Sequence, residues 1–274
     1  MWYALLLLSA LAQAHQKQLL LVAPTLLQFE DGPPIYPNHR YIPGETVFFA
    51  FQVRGYAASP EQKIHLTYRI EAMDSAGVRM VEEKKGEIEA ILQAEDKDWS
   101  PKVRHTLLIP PHAGPGDYRL VASLKDVLSG QEAKVELSFP VQGRLIEPSE
   151  TLAVRNFRFL RNEQDTQPMN EAVYRGGESL WAKFDVVGFK LGENNRFHVE
   201  YDVSILSADG TVLFTQKQAA LDEGAPFYPK RHVPSVASLT IQEGTRAASY
   251  AIQVSVRDQV GQQTVESKHT FRIE

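Results

Sequence analysis

The chain has 274 residues, 43% hydrophobic and 23% charged, with a formal net charge of −5, which is room for one large domain or two of ordinary size. That balance supplies no basic field and argues against a nucleic-acid role, since nucleic acid and anionic lipid both want clustered Lys and Arg. Cysteine is absent, which excludes disulfides, zinc–thiolate sites, thiol catalysis and a lipoprotein anchor, and leaves stability to packing alone.

The chain opens on MWYALLLLSALAQAHQK. An apolar run from Trp2 to Leu11 is followed by Ala12-Gln13-Ala14, the small residues at −3 and −1 that a signal peptidase accepts. Residues 1–14 therefore read as a cleaved signal peptide, too short to span a bilayer as a helix. No later segment is apolar enough to cross one. The mature protein is expected to be periplasmic or secreted, without a membrane span.

The segment YIPGETVFFAFQVRGY at 41–56 returns at 174–189 as YRGGESLWAKFDVVGF. An offset of 133 carries Tyr41 to Tyr174, Gly44 to Gly177, Phe51 to Phe184, Gly55 to Gly188, His65 to His198 and Tyr68 to Tyr201. After one deletion an offset of 132 carries Leu107 to Leu239, Tyr118 to Tyr250, Asp126 to Asp258 and Phe139 to Phe271. This is a tandem duplication. The matched positions have period two: Val47, Phe49, Phe51 and Val53 in one copy answer Leu180, Ala182, Phe184 and Val186 in the other, and Ile64, Leu66, Tyr68 and Ile70 answer Phe197, Val199, Tyr201 and Val203, these last alternating with Thr67, Arg69 and Glu71 or Glu200, Asp202 and Ser204. One buried face per strand is the signature of antiparallel sheets rather than of parallel ones covered on both sides. Each copy holds about seven short strands divided by turns such as SAG, ADG and LSGQ. The best helical stretch, MVEEKKGEIEAILQAEDKDW, has Gly86 in its middle and reads as a strand followed by a charged connection. Two tandem immunoglobulin-like antiparallel β-sandwiches are the simplest closure. Their expected bounds are 15–143 and 152–274, joined by a short linker at 144–151 that restricts relative motion.

The run GPGDYRLVASLKDVLSGQEAKVELSF resembles the last two strands of bacterial secreted immunoglobulin-like and macroglobulin-type domains, where Gly-Asp-Tyr often leads into the penultimate strand. The resemblance implies fold rather than activity. It also implies that Tyr118 and Tyr250 occupy a tyrosine corner, two residues before an inward position, here Leu120 or Ile252. The reactive Cys-Gln element that macroglobulins carry elsewhere has no counterpart here.

No G-x-S-x-G elbow, glycine-rich phosphate loop or cleft-bound carboxylate pair is visible, so the chain is expected not to be an enzyme and to need no cofactor. His65 and His198 alternate with core positions and read as polar residues on strand exteriors. His15 is different. Cleavage after Ala14 would leave it as the N-terminus, where α-amine and imidazole together chelate Cu(II). A periplasmic copper-binding protein using His15, with His39, His105 or His112 as a further imidazole, is the alternative reading, and His39 is the partner taken forward. The leading reading is recognition of another extracytoplasmic protein or a surface glycan. The copies differ most in two proline-stiffened loops, one with Tyr36, His39 and Arg40, the other with Phe227, Tyr228, Lys230, Arg231 and His232. Aromatic residues beside arginine, held stiff by proline, are the composition of protein-contact hot spots.

Overall fold

The computed structural model describes residues 18–274; the signal-peptide reading of residues 1–14 and His15 lie outside the described residues. In the first half, alternation of apolar and polar side chains lays down seven strands: β1 (Leu20–Leu27), β2 (Thr46–Arg54), β3 (Lys63–Met73), β4 (Lys84–Ile91), β5 (Lys102–Leu108), β6 (Gly116–Asp126) and β7 (Glu132–Val141). They form one sheet in the order β1-β2-β5 and another in the order β4-β3-β6-β7, with every ladder antiparallel. Three strands packed on four, with connections crossing between sheets, is an immunoglobulin-like sandwich.

The second half repeats the plan with β8 (Ala153–Leu160), β9 (Val173–Tyr174), β10 (Ser179–Val187), β11 (Phe197–Ser207), β12 (Val212–Gly224), β13 (His232–Thr240), β14 (Ala248–Asp258) and β15 (Gln263–Ile273). Its sheets run β13-β10-β8 and β12-β11-β14-β15-β9. The additional strand β9 pairs in parallel with the end of β15 through Ile273 and Tyr174. The first half makes the same contact as a lone parallel bridge between Tyr41 and Val141. The numerical offset between the copies is thus a spatial equivalence.

The alternating apolar residues matched by that offset on β2 and β10 are buried. Val47, Phe49, Phe51 and Val53 line one core, and Leu180, Ala182, Phe184 and Val186 line the other. Full burial of such side chains stabilises by roughly 1.5–3 kcal/mol each. Both tyrosine corners form: Tyr118 Oη donates to the Gly114 carbonyl at 2.8 Å and Tyr250 Oη to the Arg246 carbonyl at 2.8 Å. Gly86 earns its place inside β4 because it lies opposite Tyr68, whose ring fills the space where a Cβ would stand.

A second duplicated device ties each turn to its sandwich. Asp126 is fully buried at the end of β6. Its carboxylate accepts from the backbone N–H of Leu128 at 3.0 Å, of Ala57 at 2.7 Å and of Ser129, and from Ser129 Oγ at 2.7 Å. Asp258 repeats this with the N–H groups of Val260 and Gly261 at 3.0 Å, Lys190 at 2.9 Å and Gln263 Nε2 at 3.1 Å. In both copies a carboxylate staples the turn between the last two strands to the connection leaving the second. That connection begins at Gly55 or Gly188, each with φ of +74°. There a Cβ would fall 1.9 Å from the Gln18 or Thr151 carbonyl oxygen, so only glycine fits.

Candidate functional site

Antiparallel order places the end of β2, the start of β3 and the β4–β5 connection at one end of the first sandwich, and the end of β10, the start of β11 and the β12–β13 connection at the equivalent end of the second. In the second sandwich this connection, residues 225–231, reaches into the first. Pro226 and Pro229 fix its backbone, and Asn195 Nδ2 donates to the Pro226 and Phe227 carbonyls at 3.2 and 2.7 Å. Tyr228 is carried across the junction and joins the first sandwich's core, 6% exposed. Its hydroxyl donates to Asp74 Oδ2 at 2.8 Å, and His112 Nε2–H donates to its carbonyl at 3.0 Å. Asp74 is itself buried and accepts the N–H groups of Ala76 and Val78 at 2.8 Å, closing the turn after β3. Burial, and secondarily the Asp74 carboxylate, holds the Tyr228 hydroxyl far above its ordinary pKa.

A second tether comes from Arg144, in the segment read as the linker. Its guanidinium grips both carboxylate oxygens of Asp185, which is 1% exposed and also accepts from Asn156 Nδ2 at 2.9 Å. A crevice of about 420 Å³ runs between the halves, bordered by Pro43, Pro111, Arg144, Ile146, Asp185 and His232. A buried charge held from across a junction, together with a tyrosine plugged into the neighbouring core, makes the two sandwiches one body rather than beads on a string.

The remaining residues singled out in the sequence fall as follows. Phe227 is 46% exposed. Lys230 pairs with Asp222 and sits 5.1 Å above the Phe197 ring, Arg231 lies 4.0 Å from Asp74, and His232 is half-buried at the start of β13. Tyr36 is 71% exposed and Arg40 is exposed. His39 Nε2 bonds Glu45 Oε1 at 2.8 Å, and its ring meets Tyr41 edge-on at 4.5 Å. Of the two loops, Pro43 and His232 border the same crevice, while His39 and Lys230 pair with Glu45 and Asp222 of their own sandwiches.

Sequence reasoning missed the corresponding end of the first sandwich. There the connection between β4 and β5 contains a single 3-10 turn, Ala94–Asp98, and ends at Trp99. Together with Arg54, Tyr56 and Gln62 it borders a cleft of about 820 Å³. Tyr56 Oη donates to the Trp99 carbonyl at 2.7 Å and the rings meet edge-on at 6.5 Å. Trp99 is 40% exposed. The duplication register was the available signal, because it makes this connection the counterpart of the one bearing Tyr228.

The junction also has a pH signature. Burial pushes His112 and His232 below the ordinary histidine value, and does the same to His105 and His269. For His232 the nearby Asp185 carboxylate works in the opposite direction. The unfolded chain takes up these protons near pH 6.5 while the folded chain resists them. Stability is therefore expected to be full above about pH 6.5 and to be lost as pH falls towards the lowered folded values. A series of urea titrations from pH 7.5 to 5 checks this; a midpoint that rises on acidification contradicts it.

No family model matches the chain, and no curated protein matches it. Among solved structures it is similar to red sea bream transglutaminase, at 12% identity over 93% of this chain and 31% of that one, with a TM-score of 0.27. It is also similar to BspA_C_WT, at 13% identity over 92% of this chain and 99% of that one, with a TM-score of 0.30. The chain spans about a third of the transglutaminase and nearly all of BspA_C_WT. The expectation that the chain is not an enzyme is corrected here: one of the solved structures it is similar to, the transglutaminase, is an enzyme. The missing motifs that prompted the expectation exclude only particular catalytic arrangements, and a sandwich fold excludes none. The likeness is too slight to carry an activity across.

Proposed function

We propose that the chain is an extracytoplasmic binding or scaffolding protein that docks another extracytoplasmic protein through the end of its first sandwich that bears Tyr56 and Trp99. The observation that supports this is the duplication of the loop. In the second sandwich the β12–β13 connection docks onto the neighbouring sandwich of the same chain, burying Tyr228 against Asp74 and His112. In the first sandwich the equivalent connection borders a cleft that no other sandwich covers among the described residues, with Trp99 and Tyr56 beside Arg54, Asp96 and Lys97. An aromatic pair ringed by charges of both signs is hot-spot composition. The leader reading of residues 1–14 supports the extracytoplasmic address. Among the described residues no helix is long and apolar enough to cross a membrane.

The test is co-purification from the extracytoplasmic fraction of the native host. The Tyr56→Ala/Trp99→Ala variant is expected to lose the protein that the wild type retains, while Tyr36→Ala keeps it. Retention of the same partner by the double variant overturns the proposal, as does capture of a glycan in place of a protein. The copper reading is not carried further: His15 is outside the described residues, and His39 Nε2 is engaged by Glu45.

A further inference from the structure

On the outer face of the first sandwich's four-stranded sheet, His65 of β3 lies directly opposite Glu89 of β4, with Glu87 two residues along the same face. We infer that His65, Glu87 and Glu89 form a site for a zinc-class divalent cation. His65 Nε2 lies 3.5 Å from Glu87 Oε2 and 3.6 Å from Glu89 Oε1, and one donor atom from each residue falls within 4.8 Å of the other two. An N–H···O hydrogen bond spans about 2.7–3.2 Å, so these separations are too long for one. They do match ligands around a shared ion, since bonds of about 2.0–2.2 Å at tetrahedral angles set donor atoms about 3.3–3.6 Å apart.

Two further observations point the same way. The Nε2 atom is screened from solvent and makes no hydrogen bond, a cost that a metal bond would remove. Two carboxylates two residues apart on one strand face also repel each other, and a cation between them reverses that sign. One imidazole nitrogen with two carboxylates is a nitrogen–oxygen donor set that suits zinc, whereas calcium and magnesium take oxygen alone.

The duplication supplies an internal contrast. His198 of β11 faces Glu223 of β12 in the equivalent pair, and there the Nδ1–Oε2 distance is 3.0 Å, an ordinary hydrogen-bond length. Leu221 stands where the first copy has Glu87, so the second copy has two donors and no third.

The test uses the whole chain, stripped of metal by dialysis against a chelator and titrated with Zn(II) alone by calorimetry, with the melting temperature read in parallel. The wild type is expected to take up one Zn(II) and melt higher, with excess Mg(II) failing to compete. His65→Ala, Glu87→Gln and Glu89→Gln are each expected to weaken uptake by about tenfold or more, while His198→Ala leaves it unchanged. All four positions lie on sheet exteriors, so the variants should fold, and the melting curves verify that. No uptake by the wild type overturns the inference. So does uptake that persists in His65→Ala, which would place the ion elsewhere on the chain.

Discussion

Replacing Tyr228 by alanine is expected to destabilise the first sandwich by about 3–5 kcal/mol, although the residue belongs to the second. The ring fills part of the first core, and its removal leaves a hole bounded by strands too well packed to close over it. The same substitution leaves Asp74 Oδ2 buried without its hydroxyl donor, and Arg231 stands off at 4.0 Å. Tyr228→Phe isolates that second effect: it keeps the ring, removes the hydroxyl donor and is expected to cost about 1–3 kcal/mol. Calorimetry provides the readout. The wild type should unfold as one coupled unit, and Tyr228→Ala should show two transitions, with hydrogen exchange accelerating first in the Asp74–Val78 turn. A single unshifted transition in Tyr228→Ala would mean that the loop rests on the first sandwich without stabilising it.

Asp126→Ala and Asp258→Ala are expected to cost about 3–4 kcal/mol each, because one truncation strands several donors at once. In the first sandwich these are three backbone N–H groups and the Ser129 hydroxyl. Asparagine is no remedy, since its amide would turn a donor towards donors. The two losses should fall on different parts of the molecule. Asp126→Ala loosens the end beside Ala57 and Trp99, whereas Asp258→Ala loosens the end beside Lys190, next to the junction. The sites share no partner, so the double variant should show the sum of the single effects. Urea denaturation of the three variants decides it. A loss below about 1 kcal/mol in either single variant would show that water replaces the carboxylate without penalty.

The sandwich architecture was legible because its causes are local and repeated. Alternation at Val47, Phe49, Phe51 and Val53 selects strands with one dry face, and its recurrence at Leu180, Ala182, Phe184 and Val186 shows the plan used twice. The tyrosine corners followed from the placement of Tyr118 and Tyr250. Gly86 was read as a reason against a helix; its role as the seat of the Tyr68 ring needed the cross-strand register. His65 was seen as a residue on a strand exterior. That Glu87 and Glu89 stand beside it depends on which residues β4 sets opposite β3, and a slip of one residue would have turned both carboxylates to the other face.

By itself, then, the sequence determined the fold class and the duplication, since periodicity and turn residues act within a few positions of each other. Only the tertiary structure decided what the loops do. The chain gives the same proline-and-aromatic composition to the loop of Tyr228, which grips its own neighbour, and to the loop of Tyr36, whose ring is exposed, because composition is blind to what a loop meets. Tyr228 has Asp74 and His112 waiting for it across the junction, and Trp99, at the equivalent connection, opens on a cleft. That difference arises from the order in which two like bodies stack, top of one against base of the other, and stacking is a property of surfaces brought together from positions more than a hundred residues apart.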